Sequence, residues 1–187
     1  VTSVPPARPG VQSQAAAMSG GNPRPSSRMR EFRGREFSIA YPDNWEVFGD
    51  NDSAAVTIAP RAGLAQDQNG SVQIAYGAML SYYFPHRSRA NDDIETDTSA
   101  LIAQLRQSNP SMDVAERPRR VRIAASEALV TRLTSQSAMR GERETDMLVT
   151  VHRPEGLFYM VFIAPERDFR TIQQTFEGML KTLAFRN

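Results

Sequence analysis

From Glu155 to Phe185 the chain passes from a solid apolar run to a helical stripe. Leu157, Phe158, Tyr159, Met160, Val161, Phe162 and Ile163 follow one another without a charged or amide residue. A strand with one wet face alternates, so an unbroken run predicts a strand covered on both faces. Pro165 ends the ladder. Glu166 and Asp168 then put acids in the first turn of a helix, where its partial positive charge stabilises them. Phe169, Ile172, Phe176, Met179, Leu180 and Leu183 recur three and four apart, and Arg170, Gln174, Glu177 and Lys181 take the other side. That spacing predicts a helix laying an apolar stripe on the core.

The same patterns place the remaining elements. Phe37, Ile39 and Tyr41 alternate with Ser38 and Ala40 as a strand, and Pro42-Asp43-Asn44 supplies a turn. A short strand is expected over 54–59 and a polar loop over 60–70. A long strand is expected from Ser71 to Phe84, with Val72, Ile74, Tyr76, Ala78, Leu80 and Tyr82 on one face. Asp92, Asp93, Glu95 and Asp97 crowd the start of a helix whose Ile94, Thr98, Leu101, Ile102 and Leu105 face the core, and Asn109-Pro110 stops it. Strands follow near 119–124, 128–135 and 142–152. In the last of these Thr145, Met147, Val149 and Val151 form the apolar face, and His152 shares the more polar face with Glu144, Asp146 and Thr150. Short links make neighbouring strands antiparallel. The predicted class is α+β, a three-layer α/β/α sandwich on a mainly antiparallel sheet.

Residues 1–30 break the pattern. Pro5, Pro6, Pro9, Pro23 and Pro25 sit among Ser, Gly, Ala, Gln and Arg with little to bury, so this segment reads as a linker before a single domain over 31–187. Charge divides at nearly the same place. Residues 1–35 hold six Arg and one Glu, while the net charge of the whole chain is only +1. The domain itself is mildly acidic, which argues against nucleic acid as a partner. No apolar run reaches the length of a membrane span. The chain has no Cys, which excludes disulfides, thiolate metal sites and a Cys nucleophile.

Candidate chemistry is sparse. The two histidines, His86 and His152, form no HExxH and no pair with ligand spacing. His86 precedes the acids at Asp92, Asp93, Glu95 and Asp97, which read as helix N-terminal acids; His152 reads as a surface histidine. No GxSxG, SxxK or phosphate loop occurs. No catalytic, cofactor-binding or metal residue is therefore assigned, and no cofactor is expected. Arg117, Arg119, Arg120 and Arg122 form the one dense basic run, with Arg120 and Arg122 on one face of a strand. They read as a charged edge strand that resists edge-to-edge pairing, or as a contact for an anion or an acidic partner. Trp45, Tyr76, Tyr82, Tyr83 and Tyr159 read as core aromatics before they read as a pocket lining.

The segment Phe37-Ser-Ile-Ala-Tyr-Pro-Asp-Asn-Trp45-Glu-Val resembles the opening strand and turn of the PsbP-like superfamily, and Leu157–Ile163 with the Phe-rich last helix resembles its close. The resemblance implies an α/β/α sandwich. More narrowly, Phe37–Pro60, Leu148–Pro165 and Phe176–Phe185 resemble the C-terminal domain appended to bacterial zinc metallopeptidases of the HtpX and CAAX-prenyl-protease type. In those proteins a Pro-rich connector joins an HExxH domain to such a module. Their catalytic motif matches nothing here. The resemblance thus implies an accessory or interaction domain, an extracytoplasmic or membrane-associated setting, and a protein partner, either the peptidase domain or its substrate. The alternative it implies is a free-standing extracytoplasmic ligand-binding or assembly protein.

Overall fold

The computed structural model describes residues 24–49, 52, 55–66, 72–85, 93–138 and 141–186. Its elements are β1 (Met29–Arg33), β2 (Phe37–Pro42), β3 (Glu46–Phe48), β4 (Ala55–Ala59), β5 (Leu64–Gln66), β6 (Val72–Ile74), β7 (Gly77–Tyr83), α1 (Ile94–Ser108), β8 (Asp113–Ile123), β9 (Ser126–Gln136), β10 (Arg143–Arg153), β11 (Gly156–Pro165), α2 (Glu166–Lys181) and β12 (Ala184–Phe185). The apolar run is β11, in the middle of a seven-stranded antiparallel sheet ordered β3-β4-β7-β11-β10-β9-β8. Met160 stands opposite Val149 on β10 and Leu80 on β7.

The strand is buried on both faces, and its side chains divide as the period of two requires. Phe158, Met160 and Phe162 join Phe169, Ile172, Phe176 and Met179 of α2 in one cluster. Leu157, Val161 and Ile163, with Tyr159 partly buried beside them, join Ile94, Leu101 and Ile102 of α1 in another. Phe162 and Phe176 rings lie 4.7 Å apart, and Trp45 meets Phe176 at 6.3 Å. On the α2 side a small sheet, β1-β2-β12, adds Phe32, Phe37, Ile39 and Tyr41 to the cluster. Thr182 ties α2 to that sheet, since its hydroxyl accepts from Ala40 N (2.8 Å) and donates to Met179 O (2.6 Å). No helix among the described residues is long and apolar enough to cross a membrane.

Several expectations are corrected. The strand expected over 71–84 is two strands, β6 and β7. Ala75 and Tyr76 both give their N–H to Gly63 O, which interrupts the ladder. Ile74 consequently joins the α1 cluster while Tyr76, Ala78 and Leu80 join the α2 cluster. Gly77 makes the turn with φ of +149°, and a Cβ there would lie 2.6 Å from Ala59 Cβ. The expected polar loop over 60–70 contains β5, which pairs with β6. Met29 and Arg30, assigned to the linker, are the first residues of β1, and Asp43 N donates to Arg28 O. Residues 1–23 of that segment lie outside the described residues. The polar face of β10 is not wet: Glu144, Asp146 and Thr150 are fully buried.

β8 and β9 are joined by Ala124 and Ala125, both with positive φ (47° and 63°). This two-residue loop matches the right-handed twist of the strands but asks alanine for a conformation that favours Asn and Gly. Ala124→Asn with Ala125→Gly is therefore expected to raise the unfolding free energy by about 1 kcal/mol, read from urea denaturation. Phe162→Ala is expected to cost about 3–5 kcal/mol, as for other emptied buried Phe sites; a loss below about 1 kcal/mol would contradict the central placement of β11.

Candidate functional site

β8 is the last strand of the large sheet and pairs only with β9. Most of it is exposed. The register slips twice, between Val114 and Glu116 and between Glu116 and Arg119, and Pro118, lacking an N–H, sits in the second slip. Strand alternation divides the four arginines expected to form a contact, and the slips bring Glu116 opposite Arg132. Arg120 and Arg122 share one face, which is the α1 side. Arg120 is paired with Glu95 of α1 and with Glu127 of β9, and Arg122 donates to Ala125 O at 2.8 Å. Arg119 lies opposite Val130 on the α2 side.

There Arg117 and Arg119 line a groove floored by Val130 and Met147 and walled by Gln173 and Glu177 of α2. A third arginine, Arg132 of β9, completes it. Its guanidinium is 4.8 Å from the centre of the Phe169 ring and 3.4 Å from Glu116. The aromatic face and the carboxylate together fix Arg132, whereas Arg117 and Arg119 have no ion-pair partner among the described residues. Arg132 escaped the sequence reading because its place beside Glu116 depends on the Ala124-Ala125 turn, whose residues carry no turn signature.

His152 lies at the opposite end of β10 from Glu144. Its Nε2–H donates to Asp97 Oδ2 at 2.8 Å; the Asp97 side chain is 8% exposed and the His152 side chain 42%. Asp97 is therefore more than one of the helix-start acids. Asp93 does that work, capping α1 by accepting from Thr96 N at 2.8 Å. The buried Asp97 holds the orientation of an exposed imidazole, as in the base-orienting pair of a hydrolase. The hydroxyls of Thr98 and Thr150, close in sequence to the two members of the pair, are bonded to each other at 2.7 Å inside the core. His86 and Asp92 lie outside the described residues. No three His, Asp or Glu side chains among the described residues gather as metal ligands do.

A third polar group lies inside the fold. Glu144 and Asp146, two apart on β10, face the α1 side with Thr131 and Ser135 of β9. Ser135 Oγ donates to Glu144 Oε1 at 2.8 Å. Asp146 is fully buried, and neither of its carboxyl oxygens has a hydrogen-bond partner among the described residues. Burial, and then the neighbouring Glu144 carboxylate, hold the Asp146 carboxyl well above the ordinary carboxylate range.

No protein-family model and no curated protein matches the chain. Solved structures do. Cyanobacterial PsbP (CyanoP) from Synechocystis sp. PCC 6803 overlaps 92% of this chain and 99% of its own, with a TM-score of 0.57 at 7% identity. A Pseudomonas aeruginosa protein of unknown function, titled a candidate regulator, overlaps 85% of this chain and 98% of its own, with a TM-score of 0.53 at 12% identity. The fold is PsbP-like. At such identities the likeness carries the architecture and assigns no residue a role.

Within this PsbP-like sheet the buried acid sets a pH dependence. A carboxyl with a raised folded-state pKa leaves the native state holding more protons than the unfolded one at pH above about 4. Asp146 therefore does not weaken the fold below that pH, and stability falls as pH rises from there towards the raised value. Asp93, whose pKa is lowered by the Thr96 backbone bond, acts oppositely and only on acidification below about pH 4. Urea denaturation from about pH 5 upward should show declining stability in the native chain and a flatter profile in Asp146→Asn. Parallel profiles would mean that Asp146 ionises in the fold as freely as it does in water.

Proposed function

We propose that this chain is a non-catalytic accessory domain that binds a protein partner, of the kind appended to membrane-associated zinc metallopeptidases. The observation that carries the binding role is the exposed outer strand β8, with two unneutralised arginines over a groove. Functional groups placed on the rigid edge of a large sheet suit recognition better than turnover. The non-catalytic half of the reading rests on the sequence, which carries no recognisable metal-binding or nucleophile motif. The helix–sheet–helix layering inferred for the domain, with α1 and α2 on opposite faces of the sheet, goes with this assignment. The metallopeptidase parentage rests on the resemblance of Phe37–Pro60, Leu148–Pro165 and Phe176–Phe185 to that family's C-terminal module.

A second reading is a free-standing extracytoplasmic ligand-binding or assembly protein. It is supported by the likeness of the fold to CyanoP, 99% of which is overlapped. The coding sequence upstream of Val1 separates the two. An in-frame HExxH segment supports the first, and a signal peptide directly before Val1 supports the second.

The non-catalytic reading has its own test. The purified chain should hold no stoichiometric zinc by elemental analysis and should cleave no member of a peptide library. Turnover that disappears in His152→Ala or Asp97→Asn would overturn it and make the imidazole a general base.

A further inference from the structure

We infer that β8 is the docking edge for an extended acidic segment of another protein, which adds to the sheet as a further strand and gives carboxylates to Arg117 and Arg119. The inference deepens the binding role proposed above and rests on it. Backbone comes first. β8 runs from Asp113 to Ile123, and its outer edge pairs with nothing among the described residues. Along the regular stretch from Arg119 to Ile123 alternate residues turn their N–H and C=O outward, where a partner strand can pair with them, while the register slips at Val114/Glu116 and Glu116/Arg119 and the missing N–H of Pro118 interrupt the edge before it.

Charge comes second. Arginines that merely blunt an edge stand out in water. Arg117 and Arg119 are exposed, but they also line a shallow groove with Val130, Met147, Gln173 and Glu177, and no carboxylate among the described residues pairs with either. Residues opposite one another in an antiparallel pair share a face. A partner acid opposite Arg119 would therefore point into the groove, and its neighbours two residues away would stay within reach of the same guanidinium cluster. On the other face Arg120 is already paired with Glu95 and Glu127.

The remaining groove residues narrow the choice of occupant. Glu116 and Glu177 flank the arginines and repel a uniform polyanion, which disfavours a phosphate backbone and favours carboxylates spaced along a peptide. A second copy of the chain is disfavoured too, because antiparallel β8–β8 pairing would bring one arginine run against the other.

Fluorescent peptides of roughly ten residues, enough to span β8, test this. One alternates Glu with Thr. The second replaces Glu with Lys. The third keeps Glu but replaces Thr with Pro, so that it carries the charge and cannot form a ladder. Only the Glu-Thr peptide should bind. Its binding should weaken with salt and fall at least roughly tenfold in Arg117→Glu with Arg119→Glu, with amide NMR shifts confined to β8 and the groove. Unchanged melting of the double variant, expected for exposed positions, shows that the loss is not unfolding. Equal binding of the Glu-Pro peptide, no binding of any peptide, shifts centred on His152, or a dimer of the native chain lost in the double variant would each overturn the inference. Failure to bind in a chain that also cleaves nothing removes the β8 docking alone, whereas peptidase turnover removes the non-catalytic reading.

Discussion

Everything in this domain depends on β11 being dry on both sides. A strand that buries Phe158, Met160 and Phe162 on one face and Leu157, Val161 and Ile163 on the other cannot be satisfied by one covering layer. It draws α2 to one face and α1 to the other, and it forces the strands beside it, β7 and β10, inward as well. β10 shows the consequence. Its residues from Glu144 to Val151 are all buried, the two acids included. The same demand for cover that orders the core also removes water from two carboxyls, and a buried charge is costly unless it is paired or neutralised. The hydroxyl of Ser135 meets part of that need at Glu144.

Charges at the rim obey a different balance. β8 lies three strands from β11 and is exposed over most of its length, so its arginines keep their hydration and contribute little to stability. What they can contribute is selectivity. Alternation along β8 turns one run of arginines into two sets, one tied to α1 through Glu95 and one turned towards α2, and the slip at Glu116–Arg119 adds Glu116 opposite Arg132 to the second. The pleat thereby separates residues that hold the edge in place from residues left available at the surface.

How much of this was legible in the residues depends on what each signal reports. The run at 157–163 and the stripe at 169–183 report burial directly, and both elements and their facing are correctly read from them. The alternation in β10 was seen, but its second face looked wet because Glu144, Asp146 and Thr150 are polar. Composition carries no information about the helix lying above them. The break before Gly77 was missed because Ile74 and Tyr76 continue a perfect alternation, and only the carbonyl of Gly63, brought close by β5, interrupts it. The four arginines were picked out by density alone. Alternation alone divides Arg117 and Arg119 from Arg120 and Arg122, whereas placing Arg132 beside Glu116 needs the register of a hairpin whose Ala-Ala turn looks like ordinary chain. His152 was assigned to the surface, which is half of its position; the buried Asp97 at its back is a tertiary fact.

The run of consecutive hairpins from β8 to β11 also bears on how the chain finds its fold. The pairs β8–β9, β9–β10 and β10–β11 join strands adjacent in sequence, and the first and last turns are only two residues long. Their closure entropy is small, so this meander is the natural place for a nucleus to form. By contrast, β7 reaches β11 only across α1 and the intervening strands, and β2 receives β12 from the far end of the chain. A kinetic division follows. Weakening the β9–β10–β11 pairings should mainly slow folding, while weakening β2–β12 should mainly hasten unfolding, a contrast visible in the two arms of a chevron plot. The small sheet that carries the opening Phe37–Tyr41 segment would then be the last part to close and the first to open.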